Sequence, residues 1–79
     1  MVTVVLLGKL ADLGGAPALS LPGPLDWAGL TAALPPALAD ALDDPRNRLA
    51  LNGALLSDKT ALQAVEGDEI ALLPPVSGG

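Results

Sequence analysis

Short, closely spaced strand signals around a central helix-forming stretch predict an α+β fold, a mixed sheet wrapped over one main helix. Three observations carry that expectation. The first and last strand-forming runs are apolar on both faces, as central strands are. An Asn-Gly dipeptide marks a hairpin, and the order strand, strand, helix, strand pair, last strand sets the helix inside one sheet rather than alternating with parallel strands.

Val2 to Leu7 is β-branched and aliphatic, with Val2, Val4 and Leu6 on one face and Thr3, Val5 and Leu7 on the other. Gly14-Gly15-Ala16-Pro17 breaks the chain. Ala18 to Leu21 then pairs back on the first strand as a hairpin, and Pro22-Gly23-Pro24 ends it. Asp26 is a good N-cap for Trp27 to Leu34, where Trp27, Leu30 and Leu34 share a stripe that covers the sheet. Proline is tolerated in a first turn but not in a helix interior, so Pro35-Pro36 interrupts this helix and Pro36 opens a second piece through Leu42. Leu38, Ala41 and Leu42 are expected to face the core.

Asp43-Asp44-Pro45-Arg46-Asn47-Arg48 reads as a polar loop. Leu49-Ala50-Leu51 and Ala54-Leu55-Leu56 flank Asn52-Gly53, which supplies the two positive φ angles of a type I′ turn. Asp58 to Ala64 is a short loop or helical turn with Leu62 inward, and Glu66-Gly67-Asp68 turns tightly into the last strand. That strand, Glu69 to Leu73, sets Ile70 and Leu72 on one face and Ala71 and Leu73 on the other. It is expected beside Val2 to Leu7, parallel and central. No internal repeat, linker or low-complexity tract interrupts the sequence, so residues 1–79 read as one domain with a tail at 74–79.

Composition narrows the chemistry. A chain of 79 residues buries roughly 60 to 65% of its unfolded surface, which leaves little room for a deep cleft. The sequence has no Cys and no His, so a Cys/His zinc site and the Cys and Ser-His nucleophile systems are excluded, and no metal site is expected. The formal charge of −5 supplies no basic patch for phosphates, which argues against nucleic acid as a partner. Met1 to Leu7 is apolar but lacks a basic leader and is too short to span a bilayer, so a soluble cytoplasmic protein with no membrane partner is expected. Hydrophobic residues reach 51% and charged residues only 16%. Some aliphatic surface is therefore expected to meet a protein partner.

The sequence ends Pro74-Pro75-Val76-Ser77-Gly78-Gly79. Lacking Cβ atoms, a glycine pair can lie extended in a slot too narrow for other residues, with its carboxylate as the reactive group. A frayed terminus is the other reading of the same residues.

Two stretches carry a resemblance to a known family. Leu49-Ala50-Leu51-Asn52-Gly53, followed by Glu66-Gly67-Asp68-Glu69-Ile70-Ala71-Leu72-Leu73-Pro74-Pro75-Val76-Ser77-Gly78-Gly79, resembles the molybdopterin synthase small subunit, a sulfur carrier with the ubiquitin-like β-grasp roll. The order of elements is similar over the whole chain. The sequence departs from the family at Ala11, where relatives carry a basic residue, and at Leu72-Leu73, where an aromatic pair is common.

The resemblance implies a non-catalytic, sulfur-donating subunit whose own chain binds no cofactor. Gly79 would be adenylated by an activating enzyme that uses Mg-ATP, then converted to a thiocarboxylate by a sulfur donor such as a sulfurtransferase. Gly78, Ser77, Val76, Pro75 and Pro74 would thread the tail into the large subunit, within a heterotetramer of two small and two large subunits. The thiocarboxylate would attack cyclic pyranopterin monophosphate to build the molybdopterin dithiolene. Three other roles stay open at this point: sulfur carriage for another pathway, such as thiamine thiazole, tRNA thiolation or cysteine formation, attachment to target lysines as a ubiquitin-like modifier, and a plain interaction domain with an inert tail. The sheet face not covered by the helix, with Val5, Leu7, Ala71 and Leu73 in its centre, is the expected partner interface.

Overall fold

Alternating large aliphatic side chains build the middle of the sheet. In the computed structural model, which describes residues 1–75, β1 (Val2–Leu6) and β7 (Glu69–Leu73) run parallel with Val4 opposite Ile70 and Leu6 opposite Leu72. Val2, Val4, Ile70 and Leu72 are completely buried. On the outer side of β1, β2 (Ala18–Leu21) pairs antiparallel. Beyond β7 lie β4 (Arg48–Leu51) and β5 (Ala54–Leu55), joined by the Asn52-Gly53 turn with φ of 50° and 86°. The strand order β2-β1-β7-β4-β5 is a mixed five-stranded sheet, the ubiquitin-like β-grasp arrangement.

Two consecutive helices cover one face, the main helix and the second piece expected from Pro36. The Asp26 carboxylate accepts from Gly29 N at 2.7 Å and starts α2 (Trp27–Ala33). Pro36 occupies the first turn of α3 (Pro36–Leu42), where its missing N–H leaves no bond unmade. Leu30, Leu34, Leu38 and Leu42 meet Val4, Leu6, Leu49, Ile70 and Leu72 in one core. Trp27 and Ala41 are only partly buried at its margin.

Three elements, one helix and two short strands, add to the expected order. β1 and β2 pair as expected, but the connection holds a six-residue helix, α1 (Lys9–Gly14), which packs on α3 and buries Leu10 completely. Gly15, expected as part of a chain break, is the left-handed C-cap of that helix. A second, two-stranded sheet pairs β3 (Leu25–Asp26) with β6 (Gln63–Ala64). Between β5 and β6 the expected helical turn is a 3-10 turn, Lys59–Ala61, capped by Asp58, with Leu62 buried.

Candidate functional site

β7 carries the chain out of the middle of the sheet, so the segment after Leu73 leaves from a strand paired on both sides rather than from an edge. Leu7 N donates to Leu72 O at 3.3 Å, which continues the β1 pairing one residue past the strand. Next comes Gly8, with φ +55°, where a Cβ would sit 3.2 Å from the Pro74 ring. Its missing side chain thus leaves room for the ring, in a conformation L residues rarely adopt. On the other side of β7, Arg48 stands opposite Leu73. Pro74 is half-buried and Pro75 exposed, while Val76, Ser77, Gly78 and Gly79 lie outside the described residues.

The sheet face opposite the helices is flat and aliphatic. Register aligns Ala18, Val5, Ala71, Ala50 and Leu55 in one row across all five strands. Val5, Ala71 and Leu73 are half-buried, and Leu7 and Leu55 are 41% and 56% exposed. Ala50 and Leu55 were not among the residues expected here. A two-residue hairpin loop pairs Leu51 with Ala54 and hence Ala50 with Leu55, and alternation with Leu49 sets Ala50 on this face, where its small side chain is nevertheless buried at 6% exposure between its neighbours. Gly8 had no such signal, because its contact with Pro74 links residues far apart in sequence.

Charges sort by location. Asp44 holds Arg46 at 2.8 Å, and that hydrogen-bonded pairing pulls the Asp44 carboxyl down to about 2. Lys59 Nζ donates to Asp44 O and Asn47 O at 2.8 and 2.7 Å and lies 5.9 Å from the centre of the Trp27 ring, where burial lowers its pKa. Among the described residues no three Asp or Glu side chains converge to hold a metal ion, and no helix is long and apolar enough to cross a membrane. What this arrangement offers is an aliphatic face with Pro74 and Pro75 leaving its middle strand.

Of the two departures, Ala11 is half-buried against the core, and Leu72 and Leu73 divide between core and open face.

Comparison with known proteins agrees with this layout. Crystalline SAMP1 from Haloferax volcanii is 29% identical over 99% of this chain and 98% of its own, with a TM-score of 0.68. The complex of subunits 1 and 2 of the molybdopterin-converting factor from Helicobacter pylori gives 29% identity over 99% and 97%, with a TM-score of 0.70. The Amycolatopsis orientalis BexX/CysO complex, at 19% identity over both full lengths and a TM-score of 0.73, shares the fold. No curated protein matches the sequence. The ThiS family model matches residues 4–79, and the chain belongs to the ThiS family of ubiquitin-like sulfur carriers.

Proposed function

We propose that this chain is the sulfur carrier subunit of molybdopterin synthase. The observation that carries the reading is the delivery of Pro-Pro-Val-Ser-Gly-Gly from the central strand β7, beside an open aliphatic face. The near full-length likeness to the Helicobacter pylori molybdopterin-converting factor complex supports it. Six residues from Pro74 reach at most roughly 20 Å when extended, long enough to pass through a narrow slot into a partner's pocket.

The chemistry follows from the carboxylate, which is a poor electrophile as it stands. A Gly79 oxygen attacks the α-phosphorus of Mg-ATP held by an activating enzyme, pyrophosphate leaves, and an acyl-adenylate results. The sulfur of a persulfide-type donor attacks the acyl carbon and AMP leaves; reductive cleavage of the remaining S–S bond by a thiol frees the thiocarboxylate. That sulfur then attacks a carbon of the cyclic pyranopterin precursor in the large subunit, and water cleaves the resulting acyl–sulfur bond, which leaves the sulfur on the precursor and returns Gly79 as a carboxylate. Two sulfurs complete one dithiolene, so two charged carriers serve each product. Proton transfer and phosphate binding belong to the large subunit, in keeping with a carrier that has no His and few cations.

Intact-mass spectrometry of the carrier with its activating enzyme, ATP and a sulfur source tests the proposal. The parent should gain the oxygen-to-sulfur increment and support dithiolene formation with the large subunit. A chain lacking Gly79 should do neither, and Gly78→Val should be nearly as inactive, because a β-branched side chain obstructs a glycine-sized slot. Sulfur gained without Gly79 would overturn the reading. The likeness to SAMP1 supplies the competing result: conjugates to other proteins, without dithiolene formation, would make the chain a modifier.

A further inference from the structure

The four cations of this acidic chain divide into two pairs with different employment. Arg46 is held by Asp44, and Lys59 is turned inward onto two backbone carbonyls and the Trp27 ring. Lys9 and Arg48 are both exposed, and neither makes an ion pair with a described acidic residue. The fold sets them on opposite sides of the same point. Lys9 follows Gly8, over which the Pro74 ring lies, and Arg48 stands opposite Leu73, facing the open side by alternation with buried Leu49. The opposite end of that face carries Glu69, exposed and paired in register with Thr3. The helix side carries Asp40 and Asp43. Lys9 shares α1 with the exposed Asp12 one turn on, but on the open face itself the cation Arg48 stands at the tail end and the anion Glu69 at the other, so the charge of that face is divided along the strands.

We propose that Lys9 and Arg48 form an electrostatic collar at the root of the tail, which recognises carboxylates around the mouth of the partner's tail slot. The inference rests on the sulfur carrier reading and specifies the partner's chemistry at that site. Orientation is what the collar provides. A flat row of Ala18, Val5, Ala71, Ala50 and Leu55 is apolar along its length and by itself distinguishes poorly between two opposed ways of docking. A cationic end and an anionic end remove that ambiguity during the encounter, before short-range contacts form. The tail is then presented to its slot on first contact, rather than after a search.

Association rates with the molybdopterin synthase large subunit encoded in the same genome test the collar, using Lys9→Glu and Arg48→Glu in the full-length carrier. A control chain with Ala32→Glu and Ala37→Glu, both exposed on the helix side, carries the same change in net charge. Each reversal should slow association about tenfold at low salt, with the difference vanishing at high salt and with sulfur loading by mass unchanged for any variant that remains folded. The control should associate at close to the parent rate. Reversals that slow association no more than the control, or that slow it equally at every salt concentration, would remove the collar while leaving the function standing. If the parent itself neither binds the large subunit nor acquires sulfur, the function and the collar fall together.

Discussion

Asn52 serves at two ranges. Locally its φ of 50° fits the turn it forms with Gly53, a requirement legible in the sequence. At long range its Nδ2 donates to Asp68 Oδ1 at 3.0 Å while its Oδ1 accepts from Glu69 N at 2.9 Å, which ties the hairpin tip to the start of β7. That second role joins residues 16 positions apart and has no local signature. Asp68 also accepts from Val65 N, and these bonds, the Val65 one foremost, lower its pKa. Glu66 is lowered by the terminal amine and Gly23 N, Asp58 by Thr60, and Asp44 to about 2 by Arg46. All four carboxylates are more acidic in the folded chain than in the unfolded one. Their stabilisation is complete above the ordinary carboxylate range near 4 and is lost as pH falls through the folded values. Thermal unfolding midpoints should therefore stay level down to about pH 5 and decline from about 4 toward 2. Asp68→Asn should flatten the first part of that decline; an unaltered acid profile would show that this turn contributes nothing to it.

At the scale of elements, the strands and the two covering helices were legible because each repeats a signal several times. Ile70 and Leu72 alternate with Ala71 and Leu73, Asp26 precedes an apolar stripe, and Pro36 opens a turn. α1 gave no comparable pattern. It has six residues, its N-cap Gly8 offers no side-chain acceptor, and one buried residue, Leu10, cannot establish a period. β3 and β6, at two residues each, are shorter than any alternation that could reveal them. Burial nevertheless makes Leu10 equivalent to Leu72, since both are completely enclosed. Leu10→Ala and Leu72→Ala should each cost about 2 to 5 kcal/mol, read from denaturant midpoints. A negligible loss at Leu10 would show that α1 packs loosely on α3, and one at Leu72 would contradict the placement of β7 in the core.

Across the whole molecule, the sheet divides labour between its faces. Large side chains, Leu49, Ile70 and Leu72, fill the core side, whereas the small Ala18, Ala50 and Ala71 lie on the other, with Ala50 itself buried among its neighbours. Val5, Leu7, Ala71 and Leu73 on that face were legible from strand alternation, but its width was not, because the positions of Ala50 and Leu55 depend on register with strands distant in sequence. Leu73 sits where this face meets the tail. Leu73→Asp should leave the fold intact, because its side chain is outside the core cluster and only half-buried. In a complex, however, the new carboxylate would be desolvated within an apolar contact, next to the point where the tail must enter. Affinity for both the large subunit and the activating enzyme should fall by about 2 kcal/mol, near thirtyfold. Circular dichroism and unfolding midpoints of the variant separate lost binding from lost folding. A folded variant that binds both partners as the parent does would place the docking surface elsewhere, and one that loses only the large subunit would show that the two partners use different parts of the chain.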